Sequence, residues 1–106
     1  MNTRINNMLD ELHVHLKKLY GERLVDMILY GSHARGDMES GSDIDILVIL
    51  HGDVHPMDEI RRTGGIVSRI SLKYNEVISC LFMDEERYLH RNGPLLRNIR
   101  KEGIPL

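Results

Sequence analysis

An almost uninterrupted apolar run at residues 44–50, IDILVIL, constrains the fold of this chain more than any other feature. Successive side chains of a β-strand point to opposite faces of its sheet, so a strand that is apolar at nearly every position has to be buried on both faces. The run is too short to span a membrane, which takes about 18 or more apolar residues. The sequence therefore predicts a central strand, Ile44–Leu50, inside a layered soluble domain.

The segments around this strand supply the other layers. Further strands are expected at Leu24–Tyr30 and Val77–Met83, and apolar residues at helical spacing predict an amphipathic helix over residues 3–20. Two short helices are expected near the end of the chain, at residues 84–90 and from Pro94 to Gly103.

A second long helix is predicted from Pro56 to about Tyr74, because proline suits the first turn of a helix. Its inner face is expected to consist of Met57, Ile60, Val67, Ile70, Ser71 and Tyr74. The order α-β-loop-β-α-β-α-α then predicts an α/β fold, a small mixed β-sheet packed with helices, in a single domain over residues 1–106.

The segment GSHARGDMESGS, which joins the first two strands, has the composition of a ligand-binding loop. Gly31 lets the backbone turn sharply and lets a ligand approach closely. The Ser32 hydroxyl can donate to a phosphate oxygen, and a helical turn at this point would direct free N–H groups at an anion. Arg35 is suited either to contact a phosphate or to brace the loop by pairing with an acidic neighbour such as Asp37. His33 is expected to be solvated, with a ligand contact as the alternative.

Two carboxylates lie at the start of the central strand. Asp43 and Asp45 are two residues apart, so in an extended chain both project to the same side. Such a pair is repulsive unless a cation lies between the two groups, and Mg²⁺ prefers oxygen ligands of this kind. The spacing therefore predicts a metal site at Asp43 and Asp45, the alternative being two solvent-facing charges on an edge strand.

These motifs taken together resemble those of a known family. Gly31-Ser32, Ala34-Arg35-Gly36, Ser42 and Asp43-x-Asp45 are similar to the motifs of the minimal nucleotidyltransferases, which belong to the DNA polymerase β-like nucleotidyltransferase superfamily. The tail PLLRNIRKEG is also similar to the end of small bacterial and archaeal members. The resemblance implies the polymerase β-like fold and a Mg²⁺-dependent transfer of a nucleoside monophosphate, with AMP from ATP as the expected reaction.

The resemblance also assigns roles to individual residues. It implies that Gly31 and Ser32 bind the triphosphate and that the two aspartates bind metal and are catalytic. Arg35 and Ser42 are included in the nucleotide site, and for Ser42 the alternative is that it only fixes the loop.

A third carboxylate also belongs to the pattern of this superfamily. Full two-metal enzymes of the superfamily carry one on a later strand, where it activates the attacking hydroxyl. Glu76, at the start of the strand predicted for residues 77–83, is the candidate catalytic residue here. The alternative for Glu76 is a solvated charge at a strand end.

The expected partners follow from the same resemblance. Small members commonly act as antitoxins of helical HEPN-type toxins, some by adenylylating a tyrosine of the toxin, so the expected acceptor is a hydroxyl of such a partner protein. Two alternatives stay open: a nucleotide-binding and metal-binding module that neutralises its partner by contact alone, and a transferase acting on a small molecule or RNA.

Composition narrows these possibilities. The net charge of −2 and the low aromatic content, four Tyr, one Phe and no Trp, argue against a nucleic-acid-binding surface. The single cysteine, Cys80, forms no intrachain disulfide, and the first residues lack the apolar core of a signal peptide. A cytoplasmic location is therefore expected, and a homo-oligomer is left open.

Overall fold

The chain folds into a mixed sheet with helices on both faces. The computed structural model describes residues 3–106, so residues 1 and 2 of the predicted domain lie outside the described part. Its elements in chain order are α1 (Thr3–Tyr20), β1 (Leu24–Tyr30), α2 (Ser32–Arg35), β2 (Ile44–Leu50), α3 (Pro56–Tyr74), β3 (Ile78–Asp84), α4 (Glu85–His90), α5 (Pro94–Glu102) and β4 (Ile104–Pro105).

The sheet confirms the predicted α/β architecture. Its strand order is β3-β2-β1-β4. The central strand β2 pairs antiparallel with β1 and parallel with β3, which makes the sheet mixed as predicted. The two-residue strand β4, which extends the sheet beside β1, was not predicted, because two residues leave no periodic pattern in a sequence.

The central strand is buried on both faces, as its apolar run predicts. Ile44, Ile46, Val48 and Leu50 belong to the core cluster that α1 and α3 cover. Leu47 and Ile49 point to the opposite face, where they pack with Leu96 and Ile99 of α5. We call these two sides of the sheet the α1 face and the α5 face.

The predicted inner face of α3 is wrong at its N-terminal end. Met57 is 60% exposed and Ile60 is 45% exposed, while Glu59 and Thr63 are buried in their place. A carboxylate tolerates this position because it is paired: the Tyr20 hydroxyl donates to Glu59 at 2.7 Å, and Arg62 is 3.2 Å away. Further along the helix, Ile70 is buried, and Val67 and Tyr74 pack against the core as predicted.

The remaining boundaries differ from the prediction by a residue or less. Strand β3 begins at Ile78, one residue after the predicted start, and Asp84 caps α4 by accepting the Arg87 N–H at 2.8 Å. Over residues 3–106, no helix combines the length and the apolar character that crossing a membrane requires.

Candidate active site

A tight turn at the end of β1 places the backbone directly against a carboxylate. Gly31 has φ +75°, a conformation that side chains rarely adopt. A Cβ atom at this position would lie 2.4 Å from Oδ2 of Asp45, which is well inside any contact distance. Glycine is therefore required at residue 31 for two reasons, its backbone conformation and the proximity of Asp45.

The two aspartates lie close enough to repel each other, and we call them the carboxylate pair. Asp45 is the second residue of β2, and Asp43 stands just before that strand. Burial, followed by the nearby charge of Asp43, raises the pKa of Asp45, and His33 and Arg35 offset this only in part. The donor set, two carboxylates that repel each other beside a glycine turn, fits a hard divalent cation such as Mg²⁺.

Helix α2 starts at this turn. Ala34 and Arg35 each donate a backbone N–H to the Gly31 carbonyl at 3.1 Å, so the helix begins at Ser32. The first N–H groups of any helix have no acceptor inside it. Ser32 is the first residue of this helix and follows Gly31, the residue whose backbone lies against Asp45.

Arg35 braces the turn. Its Nε atom donates to Asp37 at 3.1 Å, and its Nη1 atom lies 3.7 Å from the Glu102 carboxylate on α5. These contacts agree with the bracing alternative, and a phosphate contact by Arg35 stays a prediction. A cavity of about 160 Å³ lies between the turn and α5, with Gly31, Arg35, Asn98 and Glu102 among its lining residues.

Ser42 and His33 connect the loop to α2. The Ser42 hydroxyl accepts the backbone N–H of Glu39 at 2.9 Å, which is the loop-fixing role. Its backbone carbonyl lies 3.3 Å from Nε2 of His33. Since a carbonyl only accepts, Nε2 carries the proton, and in the neutral ring Nδ1 is an acceptor. The part Ser42 plays toward nucleotide stays a prediction.

The expected solvated position of His33 is wrong. The side chain is buried, and among the described residues its Nδ1 atom has no hydrogen-bond partner. His33 is also close enough to Asp45 to contribute to the pKa of that carboxyl, so it lies near the carboxylate pair. Sequence reasoning missed it because a histidine in a polar loop carries no periodic signal, and its contact with the Ser42 carbonyl joins residues nine positions apart.

Glu76 is not brought to the carboxylate pair. Its carboxylate forms an ion pair with Arg4 of α1. Among residues 3–106, no cluster of three or more His, Cys, Asp or Glu side chains is arranged to hold a metal. The structure thus gives no support to Glu76 as a third carboxylate.

Comparison with known proteins places the chain in a family. Residues 9–104 match the family described as the nucleotidyltransferase domain. Its relatives include two proteins of Methanocaldococcus jannaschii. "Putative protein adenylyltransferase MJ0604" is 37% identical over 89 residues, 83% of each chain. "Putative protein adenylyltransferase MJ0141" is 33% identical over 75 residues, which are 71% of this chain and 75% of the relative.

Solved structures share the fold. A toxin-antitoxin crystal structure with AMP-PNP superimposes with a TM-score of 0.61 at 15% identity, covering 89% of this chain and 68% of that one. A "putative nucleotidyltransferase" from Sulfolobus solfataricus gives a TM-score of 0.56 at 22% identity, covering 99% and 86%. From its sequence match over residues 9–104, its relatives and its fold, this chain belongs to the nucleotidyltransferase domain family and is a nucleotidyltransferase by class.

Proposed function

We propose that this protein transfers AMP from ATP to a hydroxyl group of a partner protein, with Mg²⁺ as the cofactor. The observation that carries the proposal is the contact between the Gly31 turn and Asp45, because a Gly-Ser turn and two carboxylates then lie side by side. This arrangement supports a site for a triphosphate and a divalent cation. The two relatives reported above, 37% and 33% identical and named as putative protein adenylyltransferases, support both the nucleotide and the protein acceptor.

Each residue of the site has a distinct task in this reaction. Asp43 and Asp45 would hold Mg²⁺, which supplies neutralisation of phosphate charge when bound. The Gly31 turn and the start of α2 offer backbone N–H groups, and the Ser32 hydroxyl offers a further donor, to the triphosphate. Arg35 and Ser42 keep this turn in place through their contacts with Asp37 and Glu39.

We further propose that the acceptor is a toxin of the HEPN type and that this chain is its antitoxin. Support comes from the resemblance of the motifs to antitoxin-type nucleotidyltransferases and from the toxin-antitoxin assemblies among structures of the same fold. Helix α5 exposes Leu95, which lines the cavity at the Gly31 turn, and this gives a partner a surface close to the site.

The test is transfer of label from α-phosphate-labelled ATP to a co-purified partner. We expect label on the partner with the wild-type chain and Mg²⁺, and none with Asp43→Asn, although that variant still binds the partner. Absence of label with a correctly assembled wild-type complex would contradict the proposal.

Neutralisation by contact alone is the second candidate, and the absence of a three-carboxylate cluster from the described residues favours it. The double variant Asp43→Asn with Asp45→Asn separates the two functions. If this variant still suppresses the toxicity of the partner, antitoxin action does not depend on nucleotide transfer.

A further inference from the structure

A row of side chains crosses the sheet at the carboxylate pair. Tyr30 of β1 is in register with Asp45 of β2, which is in register with Ser79 of β3. Residues paired in register point to the same face, and neighbouring strands lie about 4.8 Å apart. Ser79 is therefore the residue of β3 directly beside Asp45, on the α5 face of the sheet.

Glu76 projects to the other face. It stands three residues before Ser79, an odd number, so in an extended chain the two side chains point to opposite sides. Its ion pair agrees with this, because Arg4 belongs to α1, which covers the α1 face. Register and pairing therefore separate Glu76 from the carboxylate pair.

The position of Ser79 is also open. Strand β3 is an outer strand of the sheet, and Ser79 is exposed. No strand covers it on the side away from Asp45 in the described part of the chain. An acceptor group that approaches the carboxylate pair across this edge meets a small neutral side chain.

We propose that Ser79, rather than Glu76, is the β3 residue of the reaction site, standing where an acidic side chain would complete a three-carboxylate metal site. The inference rests on the proposed metal-dependent transfer. It deepens that proposal by stating which component is missing from the site over residues 3–106: a third carboxylate beside Asp45.

The missing carboxylate has a chemical consequence. During transfer, the acceptor oxygen forms a bond to the α-phosphorus, and the bond from that phosphorus to pyrophosphate breaks with its electron pair leaving on pyrophosphate. The proton of the acceptor hydroxyl needs a base, and a serine hydroxyl does not act as one near neutral pH. The proton is therefore taken by a group other than the β3 residue beside Asp45, whereas an aspartate at residue 79 would supply a base at that position.

The direct test is Mn²⁺ binding to the full chain, measured by titration calorimetry without ATP or partner. Ser79→Asp adds a third anion beside Asp45, and we expect Mn²⁺ to bind about tenfold more tightly or better. Ser79→Asn is the matched control, because asparagine has the size of aspartate without its charge. We expect no gain in Mn²⁺ affinity from it. Glu76→Gln is expected to leave Mn²⁺ affinity within about twofold of the wild type, because Glu76 is on the other face.

Transfer chemistry gives a second measurement. Ser79→Asp should label a short tyrosine peptide from ATP, which supplies a hydroxyl but no base, at least about tenfold faster than the wild type or Ser79→Asn. Circular dichroism establishes that each variant is folded. If Ser79→Asp does not fold, Glu76→Gln alone decides: unchanged affinity supports the inference, and a loss comparable to that of Asp43→Asn overturns it.

The failure of this inference is distinguishable from failure of the proposed function. If Mn²⁺ binding to the wild type does not depend on Asp43, the metal-dependent function itself is contradicted. If binding depends on Asp43 but Ser79→Asp binds no more tightly than Ser79→Asn, only the assignment of Ser79 is overturned.

Discussion

Substituting Gly31 by alanine tests the contact on which the candidate site depends. The backbone at Gly31, φ +75° and ψ −156°, lies in a region that is essentially reserved for glycine, at a cost of about 1–3 kcal/mol for other residues. The new Cβ atom would also lie 2.4 Å from Oδ2 of Asp45. That carboxylate would have to retreat by about 1 Å to reach an ordinary contact distance, at a cost on the order of 1–3 kcal/mol.

Gly36→Ala is the matched control for this substitution. Gly36 also has a positive φ, +81°, but a Cβ atom there would meet nothing within 4 Å. It therefore carries only the cost of a left-handed backbone, about 1–2 kcal/mol. We expect Gly31→Ala to lower the free energy of unfolding by about 3 kcal/mol, and so by more than the control does.

Urea denaturation followed by circular dichroism measures both free energies, and Mn²⁺ titration of the folded protein reports on Asp45. A displaced carboxylate should weaken Mn²⁺ binding in Gly31→Ala and leave it unchanged in Gly36→Ala. If the two variants lose equal stability and bind Mn²⁺ equally well, Gly31 does not support Asp45 and the reasoning is refuted.

Three further predictions concern the surroundings of the site. Arg35→Ala should raise the KM for ATP about tenfold or more if Arg35 contacts phosphate. Glu102→Gln removes only the 3.7 Å contact of Arg35 with α5 and leaves its contact with Asp37, so it should change the free energy of unfolding by less than about 1 kcal/mol. Equal effects of the two variants on KM would exclude the phosphate contact. The pKa of Asp45 is raised by burial and by its charged neighbour, so the charged group destabilises the fold as pH rises above 3.8. In EDTA, the free energy of unfolding of Asp45→Asn, measured with urea, should therefore equal that of the wild type near pH 3 and be higher at pH 7. The reverse order would contradict the pKa shift. Tyr20→Phe leaves the buried Glu59 carboxylate without its 2.7 Å donor and should lower the free energy of unfolding by about 1–3 kcal/mol without changing Mn²⁺ affinity; a loss of Mn²⁺ binding would show coupling between this core pair and the site.

The sequence by itself determined the layered α/β fold. The apolar run of β2 predicts burial on both faces because a strand alternates its side chains, and this reading needs no knowledge of the partners of that strand. The spacing of Asp43 and Asp45 and the glycine at residue 31 are local features of the same kind. Each depends on the conformation of a few consecutive residues, so it can be read from the chain directly.

Only the tertiary structure decided which side chains meet. Glu76 looked like a third carboxylate in the sequence, but the register of β3 on β2 and an arginine 72 residues away fix it on the α1 face. His33 contacts a carbonyl nine positions along the chain, and the inner face of α3 depends on the Tyr20 hydroxyl reaching Glu59. These positions are set by contacts between residues that are distant in the chain. Such contacts leave no periodic signal in the sequence around either residue.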